Sequence, residues 1–410
     1  MKRGAYAIAG LLALSILLPA QEVRIGPRTM EVHGFGTQGF LYTNTNNWLT
    51  TNSSQGSIAF TDMGLNAGMQ LRSNLRIGGQ VYLRNLGQLG QWHPQLDWAL
   101  LDWRVKGWLG FRVGKVKTVL GLYNDTQDQD FSLTWALLPQ SIYPIDLRDA
   151  TIAHQGGDIY GEVRLPHRAG TLNYTAYGGR RSDSLHSGFA YVATRYQIYY
   201  KSIGGPVFGG DIRWKPPLHG LTLGISRINQ MLSVTGLGAP PPLILQPVDA
   251  PLRALSSTGL LPFWQDSKRD WINQYFGQFE KGKLHLEFEY RRNVQDLVNV
   301  NGEDDEDLRG WYGGGGLRVN RWFELGSYYS HYRDIPNHAQ VSWAYPQRRD
   351  FDKVVSGKFT LNRFATFKIE GHFMNGFGEM DYPNGFYPEQ NPNGFATNTN
   401  ALVMRAGFSF

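Results

Sequence analysis

The residues best suited to chemistry are three aspartates in one long polar stretch and a set of arginines that precede it. The stretch, residues 118–157, carries Asp125, Asp128 and Asp130 near its start. If it folds back against the earlier segments, its carboxylates face guanidinium groups across a narrow gap. Such a gap produces a transverse electric field, which orders water and selects solutes by size and charge. The alternative is that the stretch stays outside and its acids face water. The arginines lie on the polar faces of alternating segments, and they are Arg72, Arg76, Arg84 and Arg112.

Other patterns fit known sites less well. The run GFGTQG (34–39) has the spacing of a dinucleotide-binding loop, but the aromatic and polar run FLYTNTNNW follows it where a helix is needed. His285, Glu287 and Glu289 alternate at metal-ligand spacing, and the lining of an aqueous pore explains them better. The ten histidines are scattered and no GxSxG motif occurs. We therefore expect no enzyme activity, no cofactor and no metal.

Composition narrows the class of protein. The chain of 410 residues is rich in Gly (49), Phe (22), Tyr (21) and Trp (12), yet its mean hydropathy is −0.36. Beyond the N-terminus no window approaches the roughly 20 apolar residues of a membrane-spanning helix, which excludes a helical membrane protein. There is no cysteine, and the formal charge of +6 is too small and too evenly spread to indicate nucleic-acid binding.

The N-terminus predicts export. Lys2 and Arg3 precede an apolar run from Ala5 to Leu18 that ends on Pro19-Ala20, the pattern of a secretory signal peptide. We expect residues 1–20 to be the signal peptide and 21–410 to form one transmembrane domain. A short N-terminal anchor helix is the alternative.

The segments that must position the arginines and aspartates have the period of β-strands. In LRIGGQVYLR, Leu75, Ile77 and Val81 alternate with Arg76 and Gln80. Tight turns at 73–74, 106–107, 166–170, 215–220, 280–283, 320–321 and 362–363 alternate with long polar connections. The long connections are 42–57, 86–95, 118–157, 178–206, 231–268, 295–309, 333–350 and 375–396.

This alternation predicts an all-β fold, a transmembrane antiparallel β-barrel. Eight long loops on one side and seven short turns on the other require about sixteen strands, and barrels of about 14 or 18 strands stay open as alternatives. In lipid every backbone polar group must be paired, so the sheet closes. A soluble all-β protein needs apolar inward faces, whereas these faces carry Arg, Gln, Glu and His.

Three local expectations follow from the same pattern. The acidic run NGEDDED (301–307) is predicted to be a solvated loop tip, with a weak divalent-cation or lipopolysaccharide contact as the alternative. Lys115 and Lys117 share the phase of Phe111 and are expected to point outward. The stretch 188–205 is predicted to be either an extra strand or a loop excursion.

The chain ends on ALVMRAGFSF, whose apolar series includes Phe408 and Phe410. This series is expected to be the lipid-facing side of a closing strand that pairs with the first one near 32–41.

The layout of strands, loops and terminal phenylalanine resembles that of the Gram-negative outer-membrane porins. FRVGKVKTVLGLYNDTQ followed by LLPQSIYP is similar to a segment of porins near the phosphate-selective group, although the PEFGG-like loop tip of general porins is missing. The resemblance implies a third loop folded into the lumen, with its acids opposite the basic wall. It also implies a homotrimer, contact with outer-membrane lipid and lipopolysaccharide, and recognition of Phe408 and Phe410 by the barrel-assembly machinery.

The expected function is passive diffusion of small hydrophilic solutes or ions through a water-filled channel in the outer membrane. The alternative is a surface-exposed structural or adhesion barrel with a closed lumen. A plugged active transporter of about 22 strands does not fit the chain length.

Overall fold

The computed structural model describes residues 21–239, 259–300, 302–336, 345–378 and 385–410. The predicted signal peptide, residues 1–20, lies outside these ranges. Among the described residues, no helix is long and apolar enough to cross a membrane.

The described chain is built almost entirely of strands. One α-helix, α1, spans Gly188–Arg195, and short 3-10 turns lie at Ser53–Gln55, Ile145–Ala150, Pro166–Arg168, Pro346–Arg348 and Pro388–Gln390. The strands are β1 (Gln21–Ile25), β2 (Arg28–Thr43), β3 (Phe60–Arg72), β4 (Leu75–Leu86), β5 (Gln95–Lys106), β6 (Leu109–Lys117), β7 (Ala153–Arg164), β8 (Thr171–Ser182), β9 (Ile198–Lys215), β10 (Leu221–Gln230), β11 (Ser233–Gly238), β12 (Leu261–Lys281), β13 (Leu284–Asn299), β14 (Gly302–Arg318), β15 (Phe323–Pro336), β16 (Arg349–Thr360), β17 (Ala365–Gly376) and β18 (Asn398–Ser409).

The strands form a closed antiparallel barrel of 16 strands, as predicted. Each strand pairs with its neighbours in the chain, and β18 closes the ring on β2, from Ala401 opposite Thr43 to Ser409 opposite Phe35. Strands β10 and β11 lie end to end between β9 and β12 and together make one interrupted strand of the wall. Strand β1 pairs with the start of β2 and lies outside this count.

All seven predicted short turns connect adjacent strands at one end of the barrel. One of the eight long connections was predicted wrongly, and another, 231–268, contains β11 and the start of β12. Residues 295–299 and 302–309 belong to the hairpin of β13 and β14, in which Val298 pairs with Glu303 and Val294 with Asp307. The described part of the acidic run, 302–307, is therefore strand and not a loop tip. The sequence of this region resembles that of a loop because the hairpin extends beyond the lipid-facing part of the wall. On β14 the last outward apolar residue toward the long-loop end is Trp311.

The expectation for Lys117 was also wrong. Its Nζ lies 2.7 Å from a carboxylate oxygen of Asp128, in the connection that follows β6. Lys117 is the last residue of β6, where the chain leaves the wall, so its side chain does not continue the outward alternation. The stretch 188–205 contains both α1 and the first part of β9.

The two faces of the wall differ as the pattern predicts. Phe288 and Val355 point outward and are 49% and 52% exposed, whereas the inward Glu289 and Ser356 are buried. Exposed apolar side chains on a closed sheet suit contact with lipid, because the backbone groups behind them are paired.

The seam between β2 and β18 depends on glycine. Gly34 and Phe410 exchange backbone hydrogen bonds of 2.9 and 3.2 Å. A Cβ on Gly34 would lie 2.4 Å from the ring of Phe410, and one on Gly36 would lie 2.7 Å from the ring of Phe408. The glycines of GFGTQG thus leave room for the two terminal aromatic rings.

Candidate functional site

The connection between β6 and β7, residues 118–152, is here called the third-loop segment. It contains two prolines, Pro139 and Pro144, and many short polar side chains, which favour turns over regular structure. Its only regular element is the 3-10 turn Ile145–Ala150. Some of its backbone groups bond to one another in turns, and others bond to side chains of the wall.

Carboxylates on β13 and β17 hold one side of the third-loop segment. Glu289 accepts hydrogen bonds from the backbone N–H of Leu122 (3.0 Å) and from the hydroxyl of Tyr143 (2.7 Å). Glu370 accepts from the backbone N–H groups of Ala136 (2.7 Å) and Leu137 (3.1 Å). Such charge-assisted bonds are stronger than neutral ones.

Glu287, on β13, completes this anchor. Its carboxylate accepts hydrogen bonds from the indole N–H of Trp135 (2.6 Å) and from the hydroxyl of Tyr123. It also contacts Nε2 of His285 at 2.8 Å. The run His285, Glu287, Glu289 therefore anchors a loop. Within the described ranges, no group of three or more His, Cys, Asp or Glu side chains is arranged to hold a metal ion.

Charged side chains of β4 and β5, on the other side of the barrel, hold the opposite edge of the segment. Arg84 on β4 donates to the backbone oxygen of Ile145 (2.6 Å) and lies 3.5 Å from Asp149. Arg148, in the segment, donates to both carboxylate oxygens of Asp97 on β5 at 2.9 and 3.0 Å. In a ring of sixteen strands, β4 and β13 are diametrically opposed.

Two of the three predicted loop aspartates, Asp128 and Asp130, pair with cations that sequence reasoning did not select. Asp128 accepts from Lys117 and, at 2.6 Å, from Gln80. Asp130 lies 3.0 Å from Nζ of Lys368 and 3.4 Å from Nε of Arg405. Burial alone would raise the pKa of Asp130, but these two cations outweigh it and hold the pKa below its usual value.

A cavity of about 840 Å³ lies between the third-loop segment and the wall. It brings together five of the seven predicted charged residues. The two basic ones are Arg76 and Arg112, and the acidic ones are Asp125, Asp128 and Asp130. The cavity therefore carries both signs of charge.

The other two predicted arginines lie elsewhere. Arg72 is exposed at the end of β3, next to a short turn. Arg84 is 3% exposed, and its guanidinium group donates a hydrogen bond to the third-loop segment. The sequence places Lys368 and Arg405 on polar faces of alternating strands, but nothing local indicates which loop residue they contact.

Asp146 connects the third-loop segment to the last long connection. Its carboxylate accepts a hydrogen bond of 2.6 Å from the hydroxyl of Tyr387. Burial raises the pKa of Asp146 to about 6. This contact is therefore sensitive to protonation near neutral pH.

Comparison with models of known protein families and with curated proteins finds no match. Solved structures do match. The anion-selective porin of Comamonas acidovorans superposes with a TM-score of 0.55 at 10% identity, covering 93% of this chain and 100% of that one. The outer-membrane channel DcaP of Acinetobacter baumannii gives 0.54 at 10% identity, covering 96% and 100%.

The chain has a porin fold. A third structure agrees, since outer-membrane expressed OmpT of Vibrio cholerae gives a TM-score of 0.54 at 10% identity over 95% of this chain and 100% of that one. At such identity the porin fold is what the likeness establishes. At 10% identity the matching structures say nothing about the individual charged side chains around the cavity.

Proposed function

We propose that the protein is a passive diffusion channel of the outer membrane, narrowed by the third-loop segment folded into its lumen. The observation that carries the proposal is the pair of anchors on opposed strands, Glu289 on β13 and Arg84 on β4. A single segment bonded to inward side chains on both sides of a closed wall spans the interior.

In this mechanism small hydrophilic solutes or ions move through water down their gradients. Arg76 and Arg112 form the basic side of the passage, and Asp125, Asp128 and Asp130 form the acidic side. The opposed charges order water and select by size and charge. No catalytic step, cofactor or energy coupling is part of the proposal.

Assembly and location belong to the same proposal. We propose export through a signal peptide at 1–20, recognition of Phe408 and Phe410 by the barrel-assembly machinery, and contact with outer-membrane lipid and lipopolysaccharide. A homotrimer is supported by a matching structure of Vibrio cholerae OmpT, described as a trimer form, with a TM-score of 0.52 at 10% identity.

Recording from the purified protein in a planar lipid bilayer tests the channel. We expect steady current steps that are proportional to voltage. A protein that inserts as a folded barrel and stays silent would contradict the proposal and support the surface barrel with a closed lumen.

A further inference from the structure

Two rows of side chains cross strands β13 to β16 on one face of the wall. Within each row, neighbouring residues are direct cross-strand partners. The aromatic row is Tyr290, Trp311, His331 and Phe351. The arginine row is Arg292, Arg309, Arg333 and Arg349. On every strand the arginine lies two residues nearer the long-loop end than the aromatic residue, so four arginines are neighbours across the sheet.

Both rows point outward. The residues that alternate with them point inward: Arg291 donates to the backbone oxygen of Ile142 in the third-loop segment (2.6 Å), and the hydroxyl of Tyr312 donates to Glu289 (2.9 Å). Toward the short-turn end, the outward positions hold apolar residues such as Phe288. The two rows therefore form the long-loop edge of the lipid-facing band.

The aromatic row fixes the level of the arginines in the membrane. Three of its rings contact one another, with centroids 5.6 Å apart for Trp311 and His331 and 4.3 Å apart for His331 and Phe351. Aromatic girdles mark the edge of the hydrocarbon layer in barrels. Two residues further along a strand is roughly 6 to 7 Å, or roughly 5 Å along the membrane normal for a strand tilted by about 40°. The polar layer is about 5 to 8 Å deep on each side. The arginine row thus lies at the depth of lipid headgroups.

Two arginines of the row, Arg292 and Arg309, share a single carboxylate. Asp307 accepts two hydrogen bonds from Arg292 (2.9 and 2.8 Å) and two from Arg309 (3.2 and 2.6 Å). One carboxylate therefore serves two guanidinium groups, and a positive charge remains. Like charges directly opposite one another destabilise a sheet, so an external anion at the row relieves this repulsion.

We propose that the arginine row binds the phosphate of an anionic lipid headgroup in the leaflet on the long-loop side. Guanidinium groups bind phosphate in a planar, two-bond arrangement. Neighbouring strands are about 4.8 Å apart, so one phosphate reaches two arginines, while the lipid's apolar part lies on the aromatic row. Trp271 extends this surface, with Arg227 5.0 Å and Arg292 5.5 Å from its ring centroid. The site rests on the outer-membrane location proposed above, and it is independent of whether the lumen conducts.

Native mass spectrometry of the full chain in detergent tests the site. The probe is diphosphorylated lipid A, compared with monophosphorylated lipid A. The test variant is Arg309→Gln with Arg333→Gln, and the matched control is Lys281→Gln with Arg321→Gln, which removes two charges at the short-turn end. Each basic side chain near an anionic surface contributes about fivefold in affinity, so we expect binding about 25-fold weaker in the test variant alone. The monophosphorylated lipid binds more weakly to the wild-type chain.

Two controls accompany the measurement. Heat-modifiable mobility on gels verifies that each variant is a folded barrel, and Arg309→Lys with Arg333→Lys, which keeps the charge, retains most of the binding. Unchanged affinity of the glutamine variant, or an equal loss in the control, overturns the proposal. So does full displacement of the lipid by millimolar inorganic phosphate, which indicates a free-anion site. A changed oligomeric state with unchanged lipid binding overturns it as well, since the row is then an interface between copies.

Discussion

At the scale of single residues, some charged side chains around the passage line the cavity, and others are buried and bonded to the third-loop segment. Arg76 and Arg112 line the cavity, and Arg112 also pairs with Asp158 on β7 at 3.3 Å. Arg84 is buried and donates to the backbone oxygen of Ile145. A substitution at Arg84 therefore changes the position of the third-loop segment as well as the charge. The first two arginines are the better probes of selectivity.

We predict that Arg76→Ser with Arg112→Ser shifts the reversal potential in a salt gradient toward cations, because two positive charges leave the passage. Asp125→Asn shifts it the opposite way. Arg321→Gln, in an exposed short turn, is the control and leaves the potential unchanged. If the double variant behaves like the control, these side chains do not act on permeating ions.

Asp146 makes the anchoring of the third-loop segment depend on pH. Its ordinary pKa is about 3.9, and burial raises it to about 6 in the folded chain. The folded state thus binds the proton more tightly than the unfolded state. Ionisation of the buried carboxylate lowers the free energy of unfolding by an amount on the order of 3 kcal/mol. This loss is absent below about pH 4 and complete above about pH 6.

We predict that the turn Ile145–Ala150 exchanges its amide hydrogens faster at pH 7.5 than at pH 5, after correction for intrinsic rates. Asp146→Asn keeps a polar group at the contact with Tyr387 and removes the titration, so its corrected rates are equal at the two pH values. A pH effect that persists in the asparagine variant would place its origin elsewhere.

The sequence indicated which charged residues lie near the cavity better than it indicated which residues they contact. Five of the seven selected charges line one cavity. Alternation gives the inward phase of the two arginines on strands, and the three aspartates share one loop. The cations that actually hold Asp128 and Asp130 are Lys117, Lys368 and Arg405. Two of these come from strands more than 200 positions away in the chain, and no local pattern encodes which strand a loop will touch.

At the scale of elements, the period of two and the turn residues predicted the strands well. The failure was β13–β14, where charged side chains such as Asp305 and Asp307 replace apolar ones on the outward face. Beyond the lipid a strand no longer needs an apolar face, so its pattern becomes that of a loop. Hydrogen bonding to a long partner strand keeps it extended.

The pairing of β2 with β18 can be tested at Phe410. We predict that Phe410→Ala lowers the yield of inserted barrel, because its ring packs on Gly34 and its backbone bonds to the same residue. The conductance of those barrels that do insert changes little. Phe208→Ala, at a lipid-facing position that is 52% exposed, is the matched control. Equal yields from the two variants would refute a special role for the terminal ring.

At the scale of the whole molecule, alternation of short turns and long connections was enough to predict a closed ring. Backbone pairing in lipid forces closure, and the count of turns sets the number of strands. The interior was less predictable. The third-loop segment is bonded to β4, β5, β13 and β17, and this set of contacts depends on the ring being closed.

The most direct test of the central claim uses the absence of native cysteine. Ser132 lies in the third-loop segment and lines the cavity, whereas Ser327 lies on the outward face of β15 beside the exposed Leu325. Single-channel current is recorded from Ser132→Cys and Ser327→Cys while a charged, membrane-impermeant thiol reagent is added. A channel narrowed by this segment predicts a stepwise fall in current for Ser132→Cys and none for Ser327→Cys. Equal currents before and after modification of Ser132→Cys, with labelling verified by mass, would contradict it.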